Sequence, residues 1–443
     1  MKRRDFLHKT AAAAAAGIAM PYFVPAHVLG AKGKRGPNDK LRVGFIGTGG
    51  RAQYHMTKEN LADHAVIVAL ADCYLGRIEE AAKGLPDGDK IPKYQDYRKM
   101  LEKEKLDVVY IATTTHARVL ACIHAMQAGL DVYAEKPMSL TISEGRSLVN
   151  AARKLKRVLQ IGTQQRSMPI DVFASKLVRE GKLGKISEVI AYKYEDPRRW
   201  EPKPAEPMPE GMDWDLWCNQ TELRPYRQEL YRGWGFLWDY DCGGQSWGVS
   251  GWGTHGLDQV QCALGTDDTG PVEVWPEGEG KEFPVTCKYA SGTLLKLTGY
   301  QPKAGTTAPA EGDLEGLFVG HEALGAIFVG EKGRIKIMRG KVATDQPDLL
   351  KDAPPPNPEG PGECKWHIDN FFECIRTPHK HPNADVEIAH RATSLCQIIA
   401  MCRDLKRKLT WDPKAEKFEG DDEANKLLSR PRHKGYELPK EFA

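Results

Sequence analysis

Apolar positions in the first third of the chain come in short unbroken runs separated by helix-like stripes. LRVGFIGTGGRAQYHM (41–56) is such a run, closed by Gly47 and followed by helix-forming residues. AVIVALADC (65–73) is a second, ending at Asp72, and LDVVYIATTT (106–115) a third. The amphipathic segment HARVLACIHAMQAG (116–129) leads into GLDVYAEKPMS (129–139), then SLTISEGRSLVNAARKLK (139–156) and VLQIG (158–162). Unbroken apolar runs suit strands covered on both faces. Their alternation with helices predicts a parallel, doubly wound sheet over residues 40–162.

From residue 163 to 443 the pattern changes. ISEVIAYKYE (186–195), KEFPVTCKYA (281–290), GTLLKLTGY (292–300), ALGAIFVGE (323–331) and GRIKIMRG (333–340) read as strands joined by short turns, with YASGTLL (289–295) as a hairpin. HIDNFFECIR (367–376) and VEIAHRATSLCQIIAMCRDLKRK (386–408) read as late helices. Residues 301–316 and 345–363, rich in Pro, Gly and Asp, are expected to be loops. The tail from Trp411 is polar and is expected to wrap the surface. The predicted fold is therefore α/β: a parallel sheet first, then an α+β domain with a large, open-faced, mostly antiparallel sheet.

The first 31 residues stand apart. A basic start (Lys2, Arg3, Arg4), a weakly apolar alanine run and small residues near Gly30 and Ala31 read as an export leader. Arg3-Arg4 followed by Phe6-Leu7 is similar to the twin-arginine type. Its apolar content is too low for a membrane anchor, so the chain is expected to be exported without one. Loss of the leader removes four cations and Asp5, so the formal charge of +3 falls to zero. The length of 443 residues and 41% hydrophobic content fit a two-domain globular protein, and neutrality after loss of the leader argues against nucleic acid or an anionic membrane as partner. The ten cysteines show no CxxC pair, so they read as buried thiols, with a disulfide permitted by an oxidising compartment and no metal site expected.

Gly47-x-Gly49-x-x-Ala52 follows a strand and opens a helix. The first glycine allows the turn, the second lets a pyrophosphate approach the backbone, and the small third residue permits close helix packing. Asp72 ends the second strand 23 residues after Gly49, where a carboxylate would take the ribose hydroxyls of a dinucleotide. That carboxylate repels a 2′-phosphate, and Cys73 and Tyr74 bring no cation, so NAD is preferred; Arg77 keeps NADP open. Lys136 falls at the carboxyl end of a parallel strand, the ligand edge of such sheets. Pro137 biases it towards extended geometry. Glu135 either sets the lysine's charge state or packs against a cofactor, unless the two merely close the strand as an ion pair.

GxGxxA, Asp72, ATTTHAR, AEKPMSLTISEG and IGTQQRS occur in the order seen in the Gfo/Idh/MocA oxidoreductases. The resemblance covers nearly the whole chain after the leader, and the leader and tail resemble the secreted bacterial branch. It implies a Rossmann domain and an open-faced second domain, assembled as a homodimer or tetramer. It carries catalysis onto Lys136. It carries cofactor contacts onto Gly47, Thr48, Gly49, Gly50, Arg51, Asp72, Thr113, Thr114, His116, Glu135, Lys136 and Gln164.

The substrate side is less patterned. Seven of the ten tryptophans lie between residues 200 and 252, and flat aromatic faces stack on sugar rings. EDPRRW (195–200) and RPYRQELYRGW (224–234) add arginines suited to carboxylates or diols. Arg166, Arg199, Trp200, Trp252 and His255 are the candidate substrate contacts. In SGWGTHGLDQVQCALG (250–265) a helix is predicted to place His255, Asp258 and Gln259 on one face. His255 suits removal of a hydroxyl proton. The resembling family usually has an aspartate four residues before this histidine; here Gly251 stands there. Asp258, or Asp241 from a folded-back loop, is the expected substitute partner. The leading expectation is an NAD(P)-dependent oxidoreductase acting on a secondary hydroxyl of a sugar, cyclitol or glycoside. A glycosidase or lyase that retains NAD, and a sugar-binding protein without chemistry, are the alternatives.

Overall fold

The protein is described by a computed structural model over residues 40–243, 248–278, 284–298, 324–358, 360 and 362–443. The leader, the 301–316 loop and Trp247 lie outside the described residues. Six strands form the first sheet: β1 Leu41–Ile46, β2 Ala65–Ala71, β3 Lys93–Tyr94, β4 Val108–Ile111, β5 Asp131–Ala134 and β6 Leu159–Ile161. All pair in parallel, in the order β3-β2-β1-β4-β5-β6. The apolar runs are buried on both faces, as their unbroken pattern requires. Helices of eight residues or more are α1 Gly50–Thr57, α2 Leu75–Lys83, α3 Arg118–Gln127, α4 Ile142–Leu155, α5 Pro169–Arg179, α6 Trp252–Leu264, α7 Lys365–Arg376 and α8 Val386–Leu405.

Register decides where a ligand can sit. Ile46 is level with Ala71 and Ile111, Ile111 with Ala134, and Ala134 with Ile161. The next residues, Gly47, Asp72, Ala112, Glu135 and Gly162, therefore form one row along the carboxyl edge. Strand order reverses between β1 and β4, which opens the crevice where such sheets bind ligands.

The second sheet has nine strands: β7 Ile186–Ala191, β8 Pro271–Pro276, β9 Val285–Tyr289, β10 Leu294–Leu297, β11 Ala326–Gly330, β12 Gly333–Met338, β13 Lys341–Thr344, β14 Leu409–Asp412 and β15 Lys417–Phe418. Their order is β13-β12-β11-β7-β10-β9-β8-β14-β15, and only β7 and β10 pair in parallel. Val189, Val274, Cys287, Leu295, Phe328 and Ile335 point to one face, where Leu177 of α5, Val260 of α6 and Leu395, Ile399 and Cys402 of α8 cover them. The other face carries ion pairs such as Lys296–Glu188 (3.2 Å) and Lys288–Glu273 (3.2 Å). This is the open-faced sheet that the alternating pattern predicts.

The tail differs from the expected surface wrapping. β14 and β15 extend the second sheet, burying Trp411 and Phe418, and Phe442 ends in the core of the first sheet. A few large apolar residues decide this despite the polar average. All ten cysteines are free thiols and nine of them are buried. Among the described residues no helix is long and apolar enough to cross a membrane, and no cluster could hold a metal ion.

Candidate active site

Gly47 makes the turn after β1 with φ +81°, and a Cβ there would stand 2.8 Å from the Ala112 carbonyl. Only glycine fits a left-handed turn pressed against the neighbouring strand end. Ala52 is fully buried beneath the turn. Gly49 caps α1 and Gly50 opens it, so the free amides of the first helical turn face the crevice. Thr48 is buried and turns inward: its amide (2.8 Å) and hydroxyl (3.2 Å) both donate to Asp72. Asp72 also accepts from the Tyr74 amide at 3.0 Å. Its carboxylate is thereby fixed in a cleft lined by Gly47, Gly49, Asp72, Arg77, Thr113 and Thr114. The narrow cradle at Gly47 and the oriented acceptor at Asp72 fit a dinucleotide with unmodified ribose hydroxyls.

A second cleft continues from the first past Ala112 and Thr113. Arg51, Glu135, Lys136, Gln164, Trp252 and His255 line it, so the structure brings these predicted residues together. Glu135 is buried and accepts from Arg51 Nε at 3.1 Å and from the His55 ring at 2.9 Å. Burial alone would push this carboxyl up, but Arg51 and His55 outweigh it and hold Glu135 well below the usual carboxylate range. The Lys136–Pro137 bond is cis. Lys136 Nζ donates to the Gly251 carbonyl at 3.3 Å. Burial lowers the lysine pKa, against the opposing pull of Glu135 and Asp241. His255 is driven well below its ordinary value by burial and by the nearby charges of Arg339 and Lys136. Its Nδ1 is buried with no hydrogen-bond partner among the described residues.

Five of the predicted site residues are placed elsewhere by their contacts. Asp258 does not serve His255: it is paired with Arg166 Nε at 2.8 and 2.9 Å, deep in the protein. Arg166 also binds Asp267 at 2.8 Å, so neither residue faces the cleft; two buried opposite charges satisfy each other first. His116 is fully enclosed, with one ring nitrogen 2.8 Å from the Trp217 carbonyl, and burial lowers its pKa to about 4. It braces the second domain and lines neither cleft. Arg199 is an exposed residue bound to Asp404 at 2.8 Å, and Trp200 packs beside Lys203 away from both clefts. Of the described tryptophans of the cluster, Trp214, Trp217 and Trp238 are buried, Trp214 and Trp217 stacking at 4.2 Å, while Trp217 lines the first cleft and Trp234 and Trp252 the second.

Of three further residues at the site, only Arg339 lacks a local sequence signal; Arg118 closes the ATTTHAR motif, and Asp241 was expected as a partner of His255. Arg339 reaches the cleft from the β12–β13 turn and pairs with Glu363 at 2.6 Å. Arg118 lies buried under Lys136 and donates to the backbone carbonyls of Pro137 and Thr113. Asp241 accepts from the Thr115 hydroxyl and acts electrostatically on Lys136 and Arg118. His55 was legible: it lies four residues after Arg51, so both reach Glu135 from one helix face.

A parallel sheet with a glycine turn and carboxylate at its switch point, joined to an open-faced second sheet, defines a nicotinamide-dependent oxidoreductase architecture. Residues 41–163 match the description "Oxidoreductase family, NAD-binding Rossmann fold", and residues 168–438 match "Oxidoreductase family, C-terminal alpha/beta domain". The chain belongs to the Gfo/Idh/MocA oxidoreductase family. It is similar to a "Glycosyl hydrolase family 109 protein" of Shewanella pealeana, 28% identical over 46% of this chain and 48% of that one. It is also similar to an "Alpha-N-acetylgalactosaminidase" of Tannerella forsythia, 33% identical over 42% of this chain and 43% of that one. The chain thus spans less than half the length of these curated relatives. Among solved structures, the WlbA dehydrogenase of Bordetella pertussis in complex with NADH and UDP-GlcNAcA shares the fold, with TM-score 0.57, 17% identity and coverage of 84% and 99% of the two chains.

Proposed function

We propose that this protein moves a hydride between NAD and a secondary hydroxyl of a sugar, cyclitol or glycoside. One observation carries the reading: Lys136 and His255 share a cleft that runs on into the Gly47–Asp72 cleft. A bound nicotinamide supplies the hydride acceptor or donor. His255, held neutral, takes the hydroxyl proton as the carbon is oxidised. Lys136 donates to the same oxygen and, with Arg339, steadies charge that develops on it. Asp241 takes over the electrostatic role of the side chain that Gly251 lacks, acting on Lys136 rather than on His255. Gln164, anchored to the Tyr133 hydroxyl at 3.2 Å, and Trp252 border the place for the ring.

Asp72 supports NAD over NADP, because its fixed carboxylate opposes a 2′-phosphate. Export through the leader and assembly as a homodimer or tetramer belong to the same reading. A second reading has support from the glycosidase names of the relatives: the protein retains NAD and uses transient oxidation to cleave a glycoside. Incubation with NAD and a panel of sugars, cyclitols and aryl glycosides separates them. Net NADH with a ketone product supports the first; glycoside cleavage without net NADH supports the second; neither outcome with any panel member contradicts both.

A further inference from the structure

We propose that the adenosine half of the cofactor is held by the second domain, in a strap over residues 211–240 that the C-terminal tail clasps in place. The proposal rests on the nicotinamide-cofactor reading above. Trp217, Asn219 and Tyr231 of the strap line the first cleft, opposite Gly47 and Asp72. The strap is bonded to the edge of the first sheet. The Leu75 amide donates to Gly211 (3.0 Å), Gln95 Nε2 donates to the same carbonyl (2.9 Å), and the Asp213 amide donates to Cys73 (2.8 Å). It is stiff, because Trp214 and Trp217 stack with an interplanar angle of 5° and Tyr226 packs edge-on against Trp214.

Tyr231 is the residue that asks for a ligand. Its hydroxyl is buried and has no hydrogen-bond partner among the described residues. Tyr231 and Asp72 line the same cleft, and burial pushes the Tyr231 hydroxyl up to about 12. A buried hydroxyl left unbonded is costly, and a ribose would satisfy it. Arg77 spans the opening: its guanidinium lies 5.1 Å over the Tyr231 ring, and a Cβ on Gly49 would stand 3.3 Å from its Nη1. The phosphate turn, the ribose carboxylate and the strap therefore converge on one ligand length.

The clasp lies behind the strap. Tyr436 donates to Asp215 at 2.8 Å, the His433 amide donates to the Gln220 carbonyl at 2.8 Å, and Arg432 binds both Gln220 (2.6 Å) and Glu144 of α4 (2.7 Å). The tail thus ties the strap to α4 of the first domain, so loosening these bonds loosens the wall against which the adenosine would lie. The cofactor is expected to stay bound across many turnovers.

The test is the rate at which NADH leaves the full-length protein, read as nicotinamide fluorescence after mixing with excess NAD. Tyr231→Ala should release NADH about tenfold faster or more, the effect typical of losing an aromatic wall against a base. Tyr231→Phe, which keeps the wall and drops the hydroxyl, should fall between. Tyr436→Phe, which touches no cleft residue, should also quicken release and carries the test should the alanine variant not fold. Reduced nicotinamide mononucleotide, which lacks adenosine, should leave all variants at the wild-type rate. NADH release unchanged in Tyr231→Ala and Tyr436→Phe, or quickened equally for the mononucleotide, overturns the strap. A wild-type protein that binds no NADH overturns the nicotinamide reading itself.

Discussion

Lys136 and His255 divide the proton work because burial acts on both in the same direction. It moves the lysine towards the neutral range from above and holds the histidine neutral well below its usual 6.5. The acid limb of kcat/KM for alcohol oxidation reports protonation of the base, so it should lie below pH 6.5. Loss of the Lys136 ammonium should bring an alkaline limb below 10.5, and a pH–rate profile checks both signs. Lys136→Ala should cost about 10²- to 10⁴-fold in turnover, as removal of a positioned acid or base does. His255→Ala should cost a similar factor, and steady-state kinetics on a substrate found in the panel measure it. Gly47→Ala should abolish NADH binding in a fluorescence titration, since its Cβ would strike the Ala112 backbone at 2.8 Å. The residues with local context — glycine after a strand, carboxylate at a strand end, lysine before a proline — were legible in the sequence. Asp258 was misread because helical spacing puts it on the face of His255 but says nothing of Arg166, which is 92 residues away in sequence and claims it. Arg339 had no signal for the same reason: tertiary approach, not spacing, brings it in, whereas Arg118 stood in the ATTTHAR motif without its role being readable there.

Between elements, buried charge and buried histidine set the stability. The Arg166–Asp258 pair joins α6 to the turn after β6, with both side chains nearly inaccessible. Asp258→Ala should cost about 3 kcal/mol, the lower end for breaking a buried pair, because Arg166 loses its fully buried partner and keeps only Asp267. Chemical denaturation measures the loss, while turnover per folded molecule should persist. Acid should act through His116 and His367, whose pKa values burial lowers to about 4. Between pH 6.5 and 4 the unfolded chain binds protons that these folded rings refuse, so stability falls as pH falls. The loss approaches about 3 kcal/mol for each ring at pH 4. Melting curves across that interval should show it, and His367→Gln should flatten the slope. Long runs such as Val43–Ile46 and Val108–Ile111 announced their strands because burial on both faces leaves no polar interruption. β8 and β14 were harder to see: Pro271, Pro276 and short length obscure strands that exist only because neighbours pair with them.

At the scale of the whole molecule, the parallel sheet provides the cofactor edge, and the second sheet with α6 carries His255 to it. The C-terminal tail returns to the first sheet, where Phe442 is buried and Asn150 donates to its carbonyl at 3.1 Å. The most direct measurement is a single turnover on protein loaded with NAD, following reduced-nicotinamide absorbance while secondary-alcohol substrates are added. Wild type should form bound reduced cofactor with at least one sugar, cyclitol or glycoside, persistently or as a transient. Lys136→Ala, at equal cofactor occupancy, should form it at least about a hundredfold more slowly. A Lys136→Ala protein that reduces its cofactor as fast as wild type would contradict the reading of this cleft as the site of hydride transfer.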